Sequence, residues 1–301
     1  MNGLINIHKE KGFTSHDVVN IVRKRLKCKA GHTGTLDPNA TGVLPVCLGR
    51  ATKIADYVMG GDKEYVAEII FGAATDTQDI TGKITSQSNV CVDLSMLNSI
   101  LPEFIGQINQ VPPMYSALKF EGKKLYTYAR EGIEVKRKER QITIFGLDIL
   151  ESNLPKSARI RVRCTKGTYI RTLCADIGER LGSFAFMGDL IRTKSGNFCI
   201  DNSIKLNQLD EIINDIQTEQ YIQSIEKTLE FMPKIYINPN AEKLIINGNK
   251  IPFSYVKFSN KPDFKQEYLA FNTQGNLAGI YILDTEGTHI KPKTLLLEER
   301  K

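Results

Sequence analysis

Fifteen residues near the N-terminus constrain this chain more than any others: residues 31–45 read Gly-His-Thr-Gly-Thr-Leu-Asp-Pro-Asn-Ala-Thr-Gly-Val-Leu-Pro. Glycines at 31, 34 and 42 let the backbone turn tightly and approach other groups closely. Pro38 biases Asp37 away from the helical region toward an extended conformation. A carboxylate is thereby held on a stiff turn beside a flexible one. The segment lacks the Lys-Ser/Thr pair of a phosphate-binding P-loop, which excludes that reading. Taken alone, Asp before Pro is an ordinary turn whose side chain satisfies local amides.

A length of 301 residues favours one large domain with a small companion, or two domains. Apolar residues at 41% can build a core without metal or disulfide support. A net charge of +6 permits an anionic partner such as RNA without specifying one. Cys28, Cys47, Cys91, Cys164, Cys174 and Cys199 form no CxxC pair, and few histidines accompany them. That argues against structural zinc and for reduced thiols in a cytosol. Residues 1–16 hold no apolar core of signal-peptide length, and no apolar run reaches membrane-spanning length. The expectation is a cytoplasmic protein with no membrane segment and no metal site.

Thr14 and Asp17 have capping-box spacing ahead of a helix carrying Val18, Ile21, Val22 and Leu26. Its polar side ends in Arg23, Lys24, Arg25, Lys27 and Lys29. Residues 63–72 read as a strand, and Asp93 as the cap of a helix with Leu94, Leu97, Ile100 and Leu101. Residues 111–140 bring basic side chains at 119, 123, 124, 130, 136, 137, 138 and 140, with glutamates between them, and predict an exposed, mobile excursion. Residues 158–164 alternate, with Arg159, Arg161 and Arg163 on one face and Ile160 and Val162 on the other. A helix over about 169–181 follows, closed by Gly182, then two amphipathic segments near 204–230. From Tyr236 the pattern becomes short apolar strands broken by turns such as Asn247-Gly248 and Gln274-Gly275-Asn276.

The 31–45 string resembles the TruB family, the bacterial tRNA pseudouridine synthases. Further matches occur in order: Lys63-Glu64-Tyr65 with 72–79, Gln110 to Lys119, Gly167 to Leu173, and Leu190 to Gly196. The resemblance covers about residues 1–200. It implies an α+β pseudouridine synthase fold: a mixed, mostly antiparallel sheet flanked by helices, with a small β-rich PUA-like domain. It divides the chain into a catalytic domain over 1–232, an RNA-clamping insertion at 111–142, and a PUA-like RNA-binding domain over 233–301. Ile191 and Lys194 stand where the family usually carries arginine, and Phe184 where it carries a small residue.

The resemblance also assigns roles. Asp37 is the catalytic carboxylate, Arg171 its partner, and Tyr65 the residue that stacks on the target base and can handle the C5 proton. His32 helps turn the base out of its stack, and Leu190 packs in the uracil pocket. Tyr169 and Lys63 join the substrate-binding set. The implied substrate is the T-loop uridine at position 55 of tRNA, bound through the T-arm stem-loop by a monomer.

Such a reaction breaks N1–C1′, rotates the base and rejoins it through C5. Nothing is oxidised and nothing leaves, so no cofactor is expected. A flipped base costs a few kcal/mol, offset by stacking and edge contacts. Burial raises a carboxylate's pKa, and a guanidinium beside it opposes that. The sequence leaves open whether Asp37 attacks C1′ or C6 or takes the 2′ proton. Basic groups near 23–29, 119–140 and 156–171 can supply phosphate contacts. A non-catalytic tRNA-folding chaperone would use the same basic surface. An enzyme for a small anionic metabolite is the remaining alternative.

Overall fold

The computed structural model describes residues 1–214 and 218–297. The expected cap is present: Thr14 and Asp17 bond reciprocally and open α1 (Ser15–Leu26). That helix follows β1 (Gly3–Lys9) and precedes β2 (Thr41–Leu48). The chain continues through β3 (Lys63–Phe71), α2 (Leu94–Ile100, capped by Asp93), β4 (Gly106–Gln110), β5 (Arg140–Asn153), β6 (Ser157–Cys164), α3 (Ile170–Arg180) and β7 (Ala185–Ser195).

These strands form one sheet in the order β1-β2-β7-β3-β6-β5-β4, extended at the β1 edge by residues 204–205. The β7–β2 pairing is parallel, and β1 pairs in parallel with 204–205. The other pairings along the path are antiparallel, so the sheet is mixed and mostly antiparallel, as expected.

Burial explains which strands alternate. β3 and β6 bury one face only, so Tyr65, Ala67 and Ile69 line up with Ala158, Ile160 and Val162 against α2 and α3. β1 and β2 are covered on both faces, and β2 reads as a near-continuous apolar run from Val43 to Leu48. Ile5, Ile7, Leu44 and Val46 pack under α1. Leu4, Val43 and Cys47 turn the other way, toward a second sheet.

That second sheet is built from β8 (Lys234–Ile237), β9 (Glu267–Phe271), β10 (Leu277–Leu283) and β11 (His289–Leu295), with two short edge strands. Leu269, Phe271, Leu277 and Ile280 pack on Leu4, Val43, Ala51 and Ile54. The two sheets therefore share one apolar seam.

Residues 111–140 differ in part from expectation. They are largely exposed, yet they fold into a hairpin (119–120 with 123–124) and a helical turn, Leu125–Arg130, with Leu125 buried. The amphipathic pattern near 204–230 resolves into two short helices, Leu209–Asn214 and Ile225–Thr228; its residues 215–217 lie outside the described part. Among the described residues no helix is long and apolar enough to cross a membrane.

The β2–β7 junction depends on Gly42. Its φ is +102°, and a Cβ there would run into the Arg192 backbone. Gly42→Ala should cost at least about 1–3 kcal/mol of stability. A urea unfolding midpoint unchanged from the native chain would contradict this account of the junction.

Candidate active site

The loop carrying Asp37 is held at almost every peptide. Leu36 N–H bonds the Ser15 hydroxyl at 2.9 Å, and that hydroxyl donates to the Leu36 carbonyl at 3.2 Å. Gly12 N–H donates to the Pro38 carbonyl at 2.9 Å. Ala40 N–H closes a turn on the Asp37 carbonyl at 3.0 Å, with Pro38 at the position its fixed φ suits. Beneath lies Lys9, with no exposed surface. Its ammonium donates to the carbonyls of Pro38 (3.0 Å), Ala40 (2.6 Å) and Glu10 (3.1 Å). Burial brings this ammonium down to about 8, against the pull of Asp37.

The Asp37 side chain does not satisfy local amides. Its recorded hydrogen bond and ion pair both come from Arg171, whose Nε lies 3.0 Å from Oδ2 and Nη2 3.4 Å from Oδ1. Arg171 sits in the first turn of α3, 6% exposed. The same guanidinium donates to the Tyr115 carbonyl at 2.8 Å and the Thr77 carbonyl at 3.2 Å, and faces Asp79 at 3.7 Å. Asp79 is fixed by Thr77 and by the backbone and hydroxyl of Thr81. One planar cation thus gathers three separate segments.

The pair is asymmetric: the Arg171 side chain is 7% exposed and that of Asp37 41%. Burial pushes the Asp37 carboxyl above its ordinary value; Arg171 pulls it back, Asp79 pushes it further up, and Lys9 lowers it. The outcome is an accessible carboxylate with raised basicity and a fixed direction.

The other expected residues occupy distinct places. Tyr65 on β3 and Leu190 on β7 are nearly buried and share a cluster with Leu36. Cross-strand register sets Leu190 opposite Ala67 and Arg192 opposite Tyr65. Burial raises the Tyr65 phenol, and Arg192 beside it opposes that rise. His32 is half-buried on the short strand 30–32, and its Nδ1 accepts from Gly34 N–H at 3.3 Å, so it does bond its own turn. Burial and then Arg192 lower its pKa, favouring the neutral ring. Tyr169 is bracketed by Gln110, whose amide bonds its backbone N–H (2.8 Å) and carbonyl (3.0 Å). Burial raises its phenol, with Arg171 and Asp37 among its electrostatic neighbours. Lys63 is buried, and its ammonium is taken up by the carbonyls of Met59 and Gly61 at 3.2 and 2.5 Å. These bonds fasten the entry to β3 and do not reach Asp37.

Strand alternation shows which face the β6 arginines take. Arg159, Arg161 and Arg163 lie on the face of β6 opposite Ile160 and Val162, and those two pack in the Tyr65 and Leu190 cluster. The arginine row therefore points away from Asp37. Arg159 meets Glu151 at 3.5 Å, and Glu64 and Glu68 lie opposite Arg163 and Arg159 across the strand pair.

Sequence reasoning missed Lys9, Ser15 and the clamp role of Asp79. Lys9 closes a strand that already carries Asn6 and His8, so it did not stand out. Ser15 and Asp79 gave no signal, because their partners are far away in sequence.

Comparison with known proteins decides the family. The TruB family pseudouridylate synthase N-terminal domain matches residues 21–170, and a tRNA pseudouridylate synthase B C-terminal domain matches residues 171–230. The chain is 41% identical to "tRNA pseudouridine synthase B" of Bacillus pumilus over 100% of its own length and 99% of that protein's. This chain belongs to the TruB family. A second relative of the same name, from Alkaliphilus oremlandii, is 45% identical over 85% of each chain. Among solved structures, a Cbf5-Nop10-Gar1 complex matches with a TM-score of 0.73 at 28% identity, covering 98% of this chain and 85% of that one. An H/ACA RNP bound to a substrate RNA containing 2′-deoxyuridine matches at 0.72 and 25%, with the same coverage. As a TruB-family member with the pseudouridine synthase fold, the chain is an isomerase.

The electrostatics of this TruB site can be read directly. Asp37 should titrate above the ordinary value of 3.8, and Arg171→Met should move it further up by removing the main influence holding it down. Because the folded value is raised, its stability contribution is fullest in acid and is lost as pH rises through that value. Carboxyl ¹³C shifts followed against pH measure both midpoints; a native midpoint at or below 3.8 contradicts burial as the dominant influence.

Proposed function

We propose that this chain converts uridine 55 in the T loop of tRNA to pseudouridine, with Asp37 as the catalytic group and the target base flipped into the protein. The observation that carries the reading is the Asp37–Arg171 pair: an accessible carboxylate gripped from behind by a buried guanidinium at 3.0 Å. The relatives' name, tRNA pseudouridine synthase B, supports tRNA as the substrate.

In this reading Tyr65 and Leu190 form the walls that receive the base, and His32 fills the gap it leaves in the RNA. Asp37 acts at the sugar or at C6, kept ionised and aimed by Arg171. The net change is the loss of N1–C1′, the gain of C5–C1′, and transfer of the C5 proton to N1. Tyr65 is the candidate acceptor of that proton. Tyr169 borders the same pocket through its closeness to Arg171 and Asp37.

Residues 111–142 act as the clamp on RNA, and the sheet from residue 234 onward as the PUA-like domain that adds RNA contact. Charge and rings coincide at the clamp: Lys124 and Arg130 each lie 5.4 Å from the Tyr126 ring, and Lys123 lies 5.9 Å from the Tyr128 ring. Phosphates and splayed bases are served together by such a surface.

An unmodified tRNA transcript incubated with the full chain and no cofactor should gain a carbodiimide-dependent primer-extension stop at the T-loop uridine. Asp37→Asn should abolish the stop and keep tRNA binding, whereas a pure folding chaperone would leave Asp37→Asn fully competent. No stop with the folded native chain defeats the isomerase reading at this site. Replacing Lys123, Lys124 and Arg130 together by alanine should weaken binding and flatten the salt slope by about 0.7–0.9 per lost phosphate contact. Affinity titrations at several salt concentrations check this, and an unchanged slope removes the clamp from phosphate binding.

A further inference from the structure

Arg192 carries a charge that the fold alone does not explain. It is 1% exposed, one of the largest fully buried side chains of the molecule. Its Nε bonds the Val43 carbonyl at 2.7 Å and its Nη2 the Gly34 carbonyl at 3.1 Å, both neutral acceptors, and its side chain also bonds that of Tyr65. Among the described residues no carboxylate pairs with it. A guanidinium cannot shed its proton to escape burial, so its neighbours must adapt. Lys9 and Lys63, both buried, are brought down to about 8, chiefly by burial, with Arg192 adding to the lowering. Holding two carbonyls requires donors, not a net charge; a buried and unpaired cation is strongly unfavourable unless negative charge appears beside it.

Register shows where that charge can appear. Arg192 and Tyr65 are direct cross-strand partners on β7 and β3, and Leu190 is two residues from Arg192 on the same face. Three influences raise the Tyr65 phenol: burial first, then Cys164 from β6 and Asp37 from its loop. Arg192 is the opposing cation.

We propose that Arg192 is a positioning residue for Tyr65, fixing the phenol oxygen and stabilising negative charge on it, so that this oxygen can take the C5 proton. The inference rests on the reading of Tyr65 given above. After C5 joins C1′, that carbon carries both the sugar and its original hydrogen. The C5–H electron pair then forms the C5–C6 double bond, the C6–N1 double bond becomes single, and N1 takes a proton from solvent. The Tyr65 phenol first gives its own proton to solvent; the phenolate left beside Arg192 then takes the departing C5 proton, which restores the phenol.

The test uses the full chain and tRNA transcripts made with uridine or [5-²H]uridine, following pseudouridine formation in single turnovers. Arg192→Gln should slow the reaction by about 10²-fold, the size of a general-base contribution, and raise the deuterium isotope effect above that of the native chain. Arg192→Lys, which keeps the charge without the two-pronged grip, should recover part of the rate and lower the isotope effect again. The isotope effect is a ratio within one preparation, so a partly unfolded variant does not distort it. An unchanged isotope effect, however large the rate loss, reduces Arg192 to a strap on Gly34 and Val43 and overturns the inference; so does an unchanged rate. Tyr65→Phe is run alongside. If it too leaves rate and isotope effect as in the native chain, the reading of Tyr65 falls; if it raises the isotope effect and Arg192→Gln does not, only the role of Arg192 falls.

Discussion

The pairing of Arg171 with Asp37 organises the site because its two members live in different environments. The guanidinium is enclosed and fixed by the Tyr115 and Thr77 carbonyls and by Asp79; the carboxylate is open on its outer side. A buried ion pair is weak as a stabilising device, since desolvating two charges offsets most of their attraction, while losing one partner costs about 3–5 kcal/mol. What such a pair does well is fix direction. Here the acid's backbone is tied to β1 and α1, and its side chain to α3, so it joins parts of the chain more than a hundred residues apart.

Much of this arrangement was legible beforehand where local chemistry dominates. The Thr14–Asp17 box, the Asp93 cap and the alternation of 158–164 are short-range signals, and all three take the expected form. The strand at 63–71 likewise follows its pattern. The family motifs named Asp37 and Arg171 together, and the geometry sets them side by side.

Long-range satisfaction was not legible. Lys9 reads as an unremarkable end to a mixed strand, yet its ammonium supports carbonyls 29 and 31 residues away. The arginines of β6 looked like an RNA surface because sequence gives alternation without saying on which face Asp37 lies. The chain from 111 to 140 looked like an open loop because its charges hid the few buried contacts, such as Leu125, that fold it. The seam between the two sheets was equally hidden. There Glu267 on β9 accepts from the Tyr57 hydroxyl at 2.5 Å and pairs with Lys293, while Lys53 reaches the Leu295 carbonyl. Polar ties of this kind ring the apolar contact and fix how the second sheet sits on the first.

The anchoring of residues 36–40 has a further consequence. Displacing that segment would leave the buried Lys9 ammonium with only the Glu10 carbonyl of its three acceptors, so this side of the site is effectively an anvil. Whatever bending, unpairing or rotation the encounter demands must then be borne by the softer body. On the function proposed above, substrate choice becomes a question of compliance: the preferred nucleotide is the one whose surroundings yield most readily, and a stiffer helix bearing the same base is refused without being read.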